Sequence, residues 1–225
     1  MILQQPRTKA DSGVECDRVS IIMLIRFLLS LRNIEYLFII LPGGNVMLFQ
    51  YNTDKIVLRL LDESYGEDVL DFYIKGDSYF GAMEPDRIDG FYTEDYQRRV
   101  LKYEMECFMA EKCARYYIYE RGGRQIIGTV ALRNVVRGSF LSATIGYKLL
   151  PEYTGRGIAT EAVSIVTEEA LIDGLHRIAA YVQPENTASI KVLEHCGYEF
   201  EGIARDYAML GGRWHDHAVY SRIGE

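Results

Sequence analysis

Apolar and polar positions along the chain change period several times, and each change separates a strand from a helix. The run KIVLRLL, Lys55 to Leu61, predicts a first strand. Glu67 to Ile74, apolar at Val69, Leu70, Phe72 and Tyr73, predicts a short helix, and Thr93 to Met109 a longer one. Thr93 begins that helix, with Glu94 and Asp95 near the positive end of its dipole. RYYIYE at Arg115 to Glu120 and QIIGTVAL at Gln125 to Leu132 predict a hairpin around Gly122 and Gly123, where the turn needs positive φ. Ser142 to Leu149 predicts a fourth strand. From Ile158 to Asp173 the positions Ile158, Ala162, Ile165, Val166 and Ala170 form one stripe, the face of a helix packed on a sheet, and Gly174 ends it. Arg177 to Val182 predicts a fifth strand, Asn186 to His195 a short helix stopped by Gly197, and Tyr198 to Tyr220 two strands around Gly211 and Gly212. The order is α+β, antiparallel early, with one parallel pair joined by the Ile158 helix.

A chain of 225 residues with 48% hydrophobic content suits one domain with a sizeable core. With 25 Lys and Arg against 32 Asp and Glu, a net charge of −7 disfavours nucleic acid and suits a cationic partner such as an amine. Cys16, Cys107, Cys113 and Cys196 form no C-x-x-C pair and no metal-ligand spacing, which points to reduced thiols in a cytoplasmic protein. Val19 to Leu41 is apolar, but Arg26, Arg32 and Glu35 interrupt it, at about 2.5–3.5 kcal/mol for a charge at the centre of a membrane span. A membrane span is disfavoured. Asp11, Glu15 and Asp17 dilute any positive leader, and no small-residue cleavage site follows, so a signal peptide is disfavoured too.

TGRGIAT, Thr154 to Thr160, follows one predicted strand and opens a predicted helix. Two glycines let the backbone approach a ligand, and the first helical turn leaves N–H groups aimed at an anion. The same pattern also fits a plain strand-to-helix turn. Downstream, PENTASIKVLEHCGYEFEG, Pro184 to Gly202, follows the strand within GLHRIAAYV, Gly174 to Val182. Together with IGY, Ile145 to Tyr147, these segments resemble the GNAT superfamily of acetyl-CoA-dependent N-acetyltransferases. More narrowly, GLHRI, NTASIKVLE, GY, EGIARD and GGRWHDH resemble its ribosomal-protein-alanine (Rim-type) branch, over roughly Ile56 to Ile223. The resemblance implies a GNAT acyl-CoA N-acyltransferase fold: a mixed, mostly antiparallel sheet flanked by helices and splayed between the fourth and fifth strands. It also implies a domain over residues 47–225, starting near Met47. Residues 1–46 then form an N-terminal extension, either an appended helix or the product of an upstream start codon.

By the same resemblance, the backbone amides of Gly155, Arg156, Gly157, Ile158 and Ala159, with Thr160 closing the motif, hold the pyrophosphate of acetyl-CoA. Arg156 either adds charge there or is a solvated surface group. Thr154 departs from the Gln or Arg common at its position. Leu149 and Leu150 offer their backbone to pantetheine where the strands part, and their side chains equally suit a core. Asn186 and Ser189, three apart, share a helix side. They read as an N-cap and a surface serine, or as groups near the reacting sulfur. The tyrosine that many members place seven residues after this Asn is Leu193 here, so Ser189 becomes the candidate to protonate the departing thiolate. Lys191 reaches a CoA phosphate or is solvated. Asp206 in EGIARD is the candidate base, or a strand-end carboxylate beside Arg205. An α-amine with a pKa of about 7.7–8.0 requires only a weak base, whereas a lysine near 10.4 requires about 3.5 kcal/mol more. That difference leans toward an N-terminal amine.

His215, Asp216 and His217 suggest a metal pair by spacing, but no third ligand is evident, and no metal is expected. His176 and His195 read as structural, and Cys196 has no adjacent base to make it a nucleophile. Acceptor recognition falls to SYFGAMEPDRIDGFYTED and to Tyr207 and Trp214. Glu84, Asp86 and Glu94 either attract a cationic substrate or form a solvated surface. The expected function is direct acetyl transfer from acetyl-CoA to a bound primary amine in a ternary complex, the amine being a protein N-terminus. Two alternatives stay open. One is a small amine such as a polyamine, aminoglycoside or amino-acid derivative; the other is a silent acyl-CoA-binding module, whose sign would be a broken loop or a lost Asn186. The protein is expected to be cytoplasmic, as a monomer or homodimer.

Overall fold

Residues 37–38, 48–81 and 84–224 are described in the computed structural model, Leu37 and Phe38 by their backbone alone. All fall within one unit, Tyr36–Glu225. The strands are β1 (Leu37–Phe38), β2 (Leu48–Asn52), β3 (Ile56–Arg59), β4 (Ala114–Glu120), β5 (Ile126–Val136), β6 (Ser142–Leu149), β7 (Arg177–Val182), β8 (Glu199–Leu210) and β9 (Arg213–Ile223). The helices are α1 (Gly66–Phe80), α2 (Glu94–Met109), α3 (Ile158–Ile172) and α4 (Thr187–His195). The strands form one sheet in the order β1-β2-β3-β4-β5-β6-β7-β9-β8. Every described pairing is antiparallel except β6 with β7, whose connection runs through α3. This is the mixed, mostly antiparallel α+β sheet that the sequence predicts.

Alternation along the strands divides the core in two. Tyr116 and Ile118 of β4 join Ile145, Ile178, the buried stripe of α3 (Ile158, Ala162, Val163, Val166, Ala170) and Leu193 of α4. The intervening Tyr117 and Tyr119 face the other way and join Val69, Phe72 and Tyr73 of α1 and Leu101 of α2. The sheet thus separates an α3–α4 layer from an α1–α2 layer.

Three expectations shift. α1 runs on to Phe80 rather than stopping at Ile74, because Gly76 and Phe80 continue its buried face. β2 was not foreseen: its burial does not alternate, and pairing with β3 rather than periodicity makes it a strand. β1 lies within residues 1–46, the expected extension, yet pairs with β2. The rest of that stretch, with Cys16 and the apolar run from Val19 to Leu41 apart from Leu37 and Phe38, lies outside the described residues. Among the described residues no helix is long and apolar enough to cross a membrane.

β5 and β6 approach so closely at Gly128 that an added Cβ would lie 2.5 Å from the Lys148 carbonyl oxygen and 2.4 Å from Leu149 Cδ2. Gly128→Ala is therefore expected to lower the unfolding free energy by about 1–3 kcal/mol. Urea denaturation measures this, and an unchanged midpoint would show that the two strands separate without cost.

Candidate active site

β6 and β7 pair only from Ser142↔Arg177 to Thr144↔Ala179, although β6 continues to Leu149 and β7 to Val182. The strands part beyond Thr144. Leu150 N–H donates to the Ile127 carbonyl at 2.8 Å, and antiparallel bonding alternates, so Lys148 and Gly146 also direct their backbone groups at β5. Ile145, Tyr147 and Leu149 direct theirs at β7. Past the parting point, Tyr147 and Leu149 therefore line a slot with main-chain donors and acceptors that no described strand faces, and an extended amide-bearing chain can pair there as a strand would. Leu150 does not join them: its N–H bonds Ile127 and its carbonyl accepts from Tyr153 N–H at 3.0 Å.

The slot leads to the predicted loop. Thr154 turns its hydroxyl back on its own turn, donating to the Pro151 carbonyl at 2.7 Å. Gly155 and Gly157 adopt φ of 70° and 77°, the left-handed region where a side chain is strained, and Gly157 caps α3. The first helical bond runs from Glu161 N–H to the Gly157 carbonyl at 3.0 Å. The amides from Gly155 to Thr160 have no backbone acceptor among the described residues, which is the donor arrangement that suits an anion. Arg156 pairs with Glu120 at 2.6 Å and lies over the Tyr153 ring. Such an exposed pair is worth about 0–1 kcal/mol, so Arg156 can turn to a phosphate at little cost.

α4 closes the same side. Asn186 Oδ1 accepts from Ser189 N–H at 3.0 Å, which makes Asn186 the N-cap. Tyr147 donates its phenol proton to the Ser189 carbonyl at 2.9 Å. Burial raises the Tyr147 pKa well above the ordinary phenol value, although the contact with Ser189 acts the other way. Leu193, at the position where the resemblance led a tyrosine to be expected, is 1% exposed and belongs to the core. The structure thus brings Asn186, Ser189 and Tyr147 to one wall of the slot, and Cys196 Sγ donates to the Thr160 carbonyl at 3.3 Å, tying this wall to the first turn of α3. Lys191 is exposed. Tyr147 carried no role in the sequence reading, yet a signal was present: with Ala143 and Ile145 it shares the strand face turned toward the Asn186 helix.

Asp206 does not join this group. It is exposed, at φ 49° in an irregularity of β8 between Ala204 and Ala208, and its N–H donates to Asp216 Oδ1 at 2.8 Å. β9 separates β8 from β7, which at about 4.8 Å per strand sets β8 about 10 Å away. Tyr207, from the same irregularity, reaches back to stack on Tyr181 of β7 with centroids 4.3 Å apart, and also touches His217 at 5.0 Å. His217 and Asp216 therefore serve the hairpin. Among the described residues no cluster of three or more His, Cys, Asp or Glu is placed to hold a metal.

On the opposite face, Lys148 of β6 and Arg87 of the α1–α2 loop both pair with Glu84. Lys148 Nζ also lies over the Tyr73 ring at 4.6 Å, and Arg87 over Phe91 at 4.2 Å. Burial works against the Glu84 carboxylate, but Lys148 and Arg87 more than offset it and hold its pKa below the ordinary value. Glu94 pairs with Arg98 at 2.6 Å, and Asp86 is exposed. Two of the three acids expected to draw a cation are thus paired within the chain: Glu84 fastens the loop to β6, and Glu94 bonds one turn along α2.

Gly157→Val, which forces a β-branched residue into φ 77°, is expected to cost about 1–2 kcal/mol of stability. The same change should weaken coenzyme A binding by at least about tenfold, since a shift of 1.4 kcal/mol is enough. Calorimetry at a temperature where the variant is folded reads the second effect separately.

The acetyltransferase (GNAT) domain family matches residues 55–199. The Bacillus subtilis (strain 168) protein "Probable N-acetyltransferase YjcK" is 35% identical over 73% of this chain and 91% of its own. The Escherichia coli (strain K12) [ribosomal protein uS5]-alanine N-acetyltransferase is 30% identical over 78% of this chain and 91% of its own. The solved structure of Mycobacterium smegmatis RimJ in complex with CoA-disulfide superimposes with a TM-score of 0.69 at 26% identity, covering 75% of this chain and 81% of that one. The parted strands, the free amides opening α3 and these matches agree: the chain belongs to the GNAT acetyltransferase family and is an N-acetyltransferase.

Proposed function

We propose that the enzyme moves the acetyl group of acetyl-CoA to the α-amine of a protein N-terminus, with both substrates bound together. The observation that carries this reading is the continuity between the β6–β7 slot and the unpartnered amides from Gly155 to Thr160. Those amides fit a pyrophosphate, and the backbone of Tyr147 and Leu149 fits the amides of pantetheine. A relative solved with a CoA disulfide and another named for a ribosomal-protein alanine support the choice of donor and acceptor.

α3 and α4 cover one face of the slot, so the amine enters from the α1–α2 face and attacks the thioester carbonyl across the sheet. A slot amide, such as that of Tyr147, stabilises the developing oxyanion in this reading. As the C–S bond breaks, Ser189 passes its hydroxyl proton to the thiolate and takes one up from water, and Tyr147 holds the Ser189 turn in place through its carbonyl. The ammonium proton passes to water, since an α-amine requires only a weak base and Asp206 lies two strands beyond β7. An acyl-cysteine is disfavoured: burial pushes the Cys196 thiol up to about 11, and its Sγ is engaged with Thr160. A polyamine acceptor is disfavoured as well, because the Glu84 carboxylate is already shared by Lys148 and Arg87. An N-terminal acceptor of ribosomal type places the reaction in the cytoplasm.

Thiol release from acetyl-CoA is measured with N-terminal peptides, lysine peptides and small amines. N-terminal peptides should give the highest kcat/KM; a preference for lysine or small amines sinks the reading. For an α-amine, kcat/KM should rise with pH up to about 7.7–8.0 and then level off, whereas a lysine acceptor keeps rising toward about 10.4. Ser189→Ala is expected to lower kcat by about a hundredfold with coenzyme A affinity kept. Wild-type values for both would remove Ser189 from the proton transfer.

A further inference from the structure

Around the slot, on the α1–α2 face, cations exceed the carboxylates that pair with them. Lys148 and Arg87 share the single charge of Glu84. Arg115 of β4 pairs with Glu104 of α2 at 3.0 Å, and the second oxygen of that carboxylate accepts from the Tyr117 hydroxyl at 3.0 Å. Burial works against the Arg115 cation, yet Glu104 holds it above its ordinary pKa. Both oxygens of Glu104 thus already have a partner at close range, Arg115 and Tyr117.

Arg133 of β5 is a further cation. Among the described residues no carboxylate lies within ion-pair distance of it. Its Nη2 lies 3.9 Å from where a Cβ on Gly146 would stand, and Gly146 is two residues past Thr144, where β7 leaves β6. The guanidinium thus overhangs the open part of the slot, next to Lys148 on the same strand face. Arg133 is solvent-accessible, but partial burial of its head and the nearby Arg115 cation lower its pKa from the ordinary value. A cation crowded by another, with Glu84 and Glu104 favouring it only from beyond ion-pair distance, is stabilised by whatever anion arrives with the substrate. The CoA phosphates belong elsewhere, at the amides that open α3.

We propose that Arg133 selects the acceptor by binding a carboxylate or phosphate that the substrate carries close to its amine. In a protein N-terminus that group is an acidic side chain in the first residues; in a free amino acid it is the α-carboxylate. This rests on the reading above that the amine enters from the α1–α2 face.

The test measures affinity by calorimetry on the coenzyme A complex of the full chain. The probes are synthetic peptides that begin with alanine followed by aspartate, asparagine or lysine, and alanine against alaninamide. Wild type should prefer the aspartate peptide over the lysine peptide by about ten- to hundredfold. Arg133→Gln should bring that ratio close to one, and Arg133→Glu should reverse it. Each ratio is taken within one protein, so partial unfolding of a variant does not imitate the effect, and wild type alone already tests the preference. A preference confined to alanine over alaninamide keeps anion recognition and removes the N-terminal acceptor, as does binding of the aspartate peptide without acetylation of any peptide. Equal affinity for all probes in wild type, or a preference unchanged in both variants, overturns the proposal.

Discussion

The early separation of β6 from β7 is the constraint on which the rest of this enzyme depends. A parallel pair that stops after Thr144↔Ala179 leaves main-chain groups at Tyr147 and Leu149 without a strand partner, a costly arrangement in a closed core. It is tolerable here because the gap opens to solvent and to an extended ligand. The opening is held by contacts on both sides. β9 continues the sheet along the far edge of β7, β5 holds β6, and Tyr147 braces α4 through the Ser189 carbonyl. Closing the gap would require breaking those contacts together.

From that opening follows a division of work between the two faces of the sheet. The α3–α4 layer supplies helix-terminal amides, a capped turn at Asn186 and a buried phenol, a set suited to gripping a phosphate-bearing thioester and receiving its sulfur. The α1–α2 layer supplies aromatic rings and ion pairs: Tyr73, Phe91, Glu84, Arg87, Lys148 and Arg115. A net charge of −7 over the whole chain conceals this local excess of cations. Net charge governs long-range attraction, whereas recognition at a few ångströms depends on which carboxylates are already paired.

Much of the site was legible because it is local. TGRGIAT at the start of α3 combines two residues free to take positive φ with a helix opening, and both properties belong to consecutive residues. Asn186 three before Ser189 is likewise a cap by spacing, and the hairpin at Gly211 and Gly212 by residue type. Leu150 and Asp206 were less legible. The amide of Leu150 belongs to Ile127, which follows from the β5–β6 register and not from the Leu-Leu pair itself. Asp206 lies on an irregularity two strands from β7, and nothing in EGIARD sets that distance.

The sequence by itself determined the elements, their order and the two glycine-dependent backbone positions, because period, capping and left-handed φ are set by neighbouring residues. The tertiary structure alone decided where β6 and β7 part, which amides then face the gap, and how the charges divide. Glu84 and Lys148 are 64 residues apart in the chain, and Arg133 meets Gly146 only through strand register. Whether a charge attracts a substrate or fastens a loop depends on its partner, and that partner is chosen by packing.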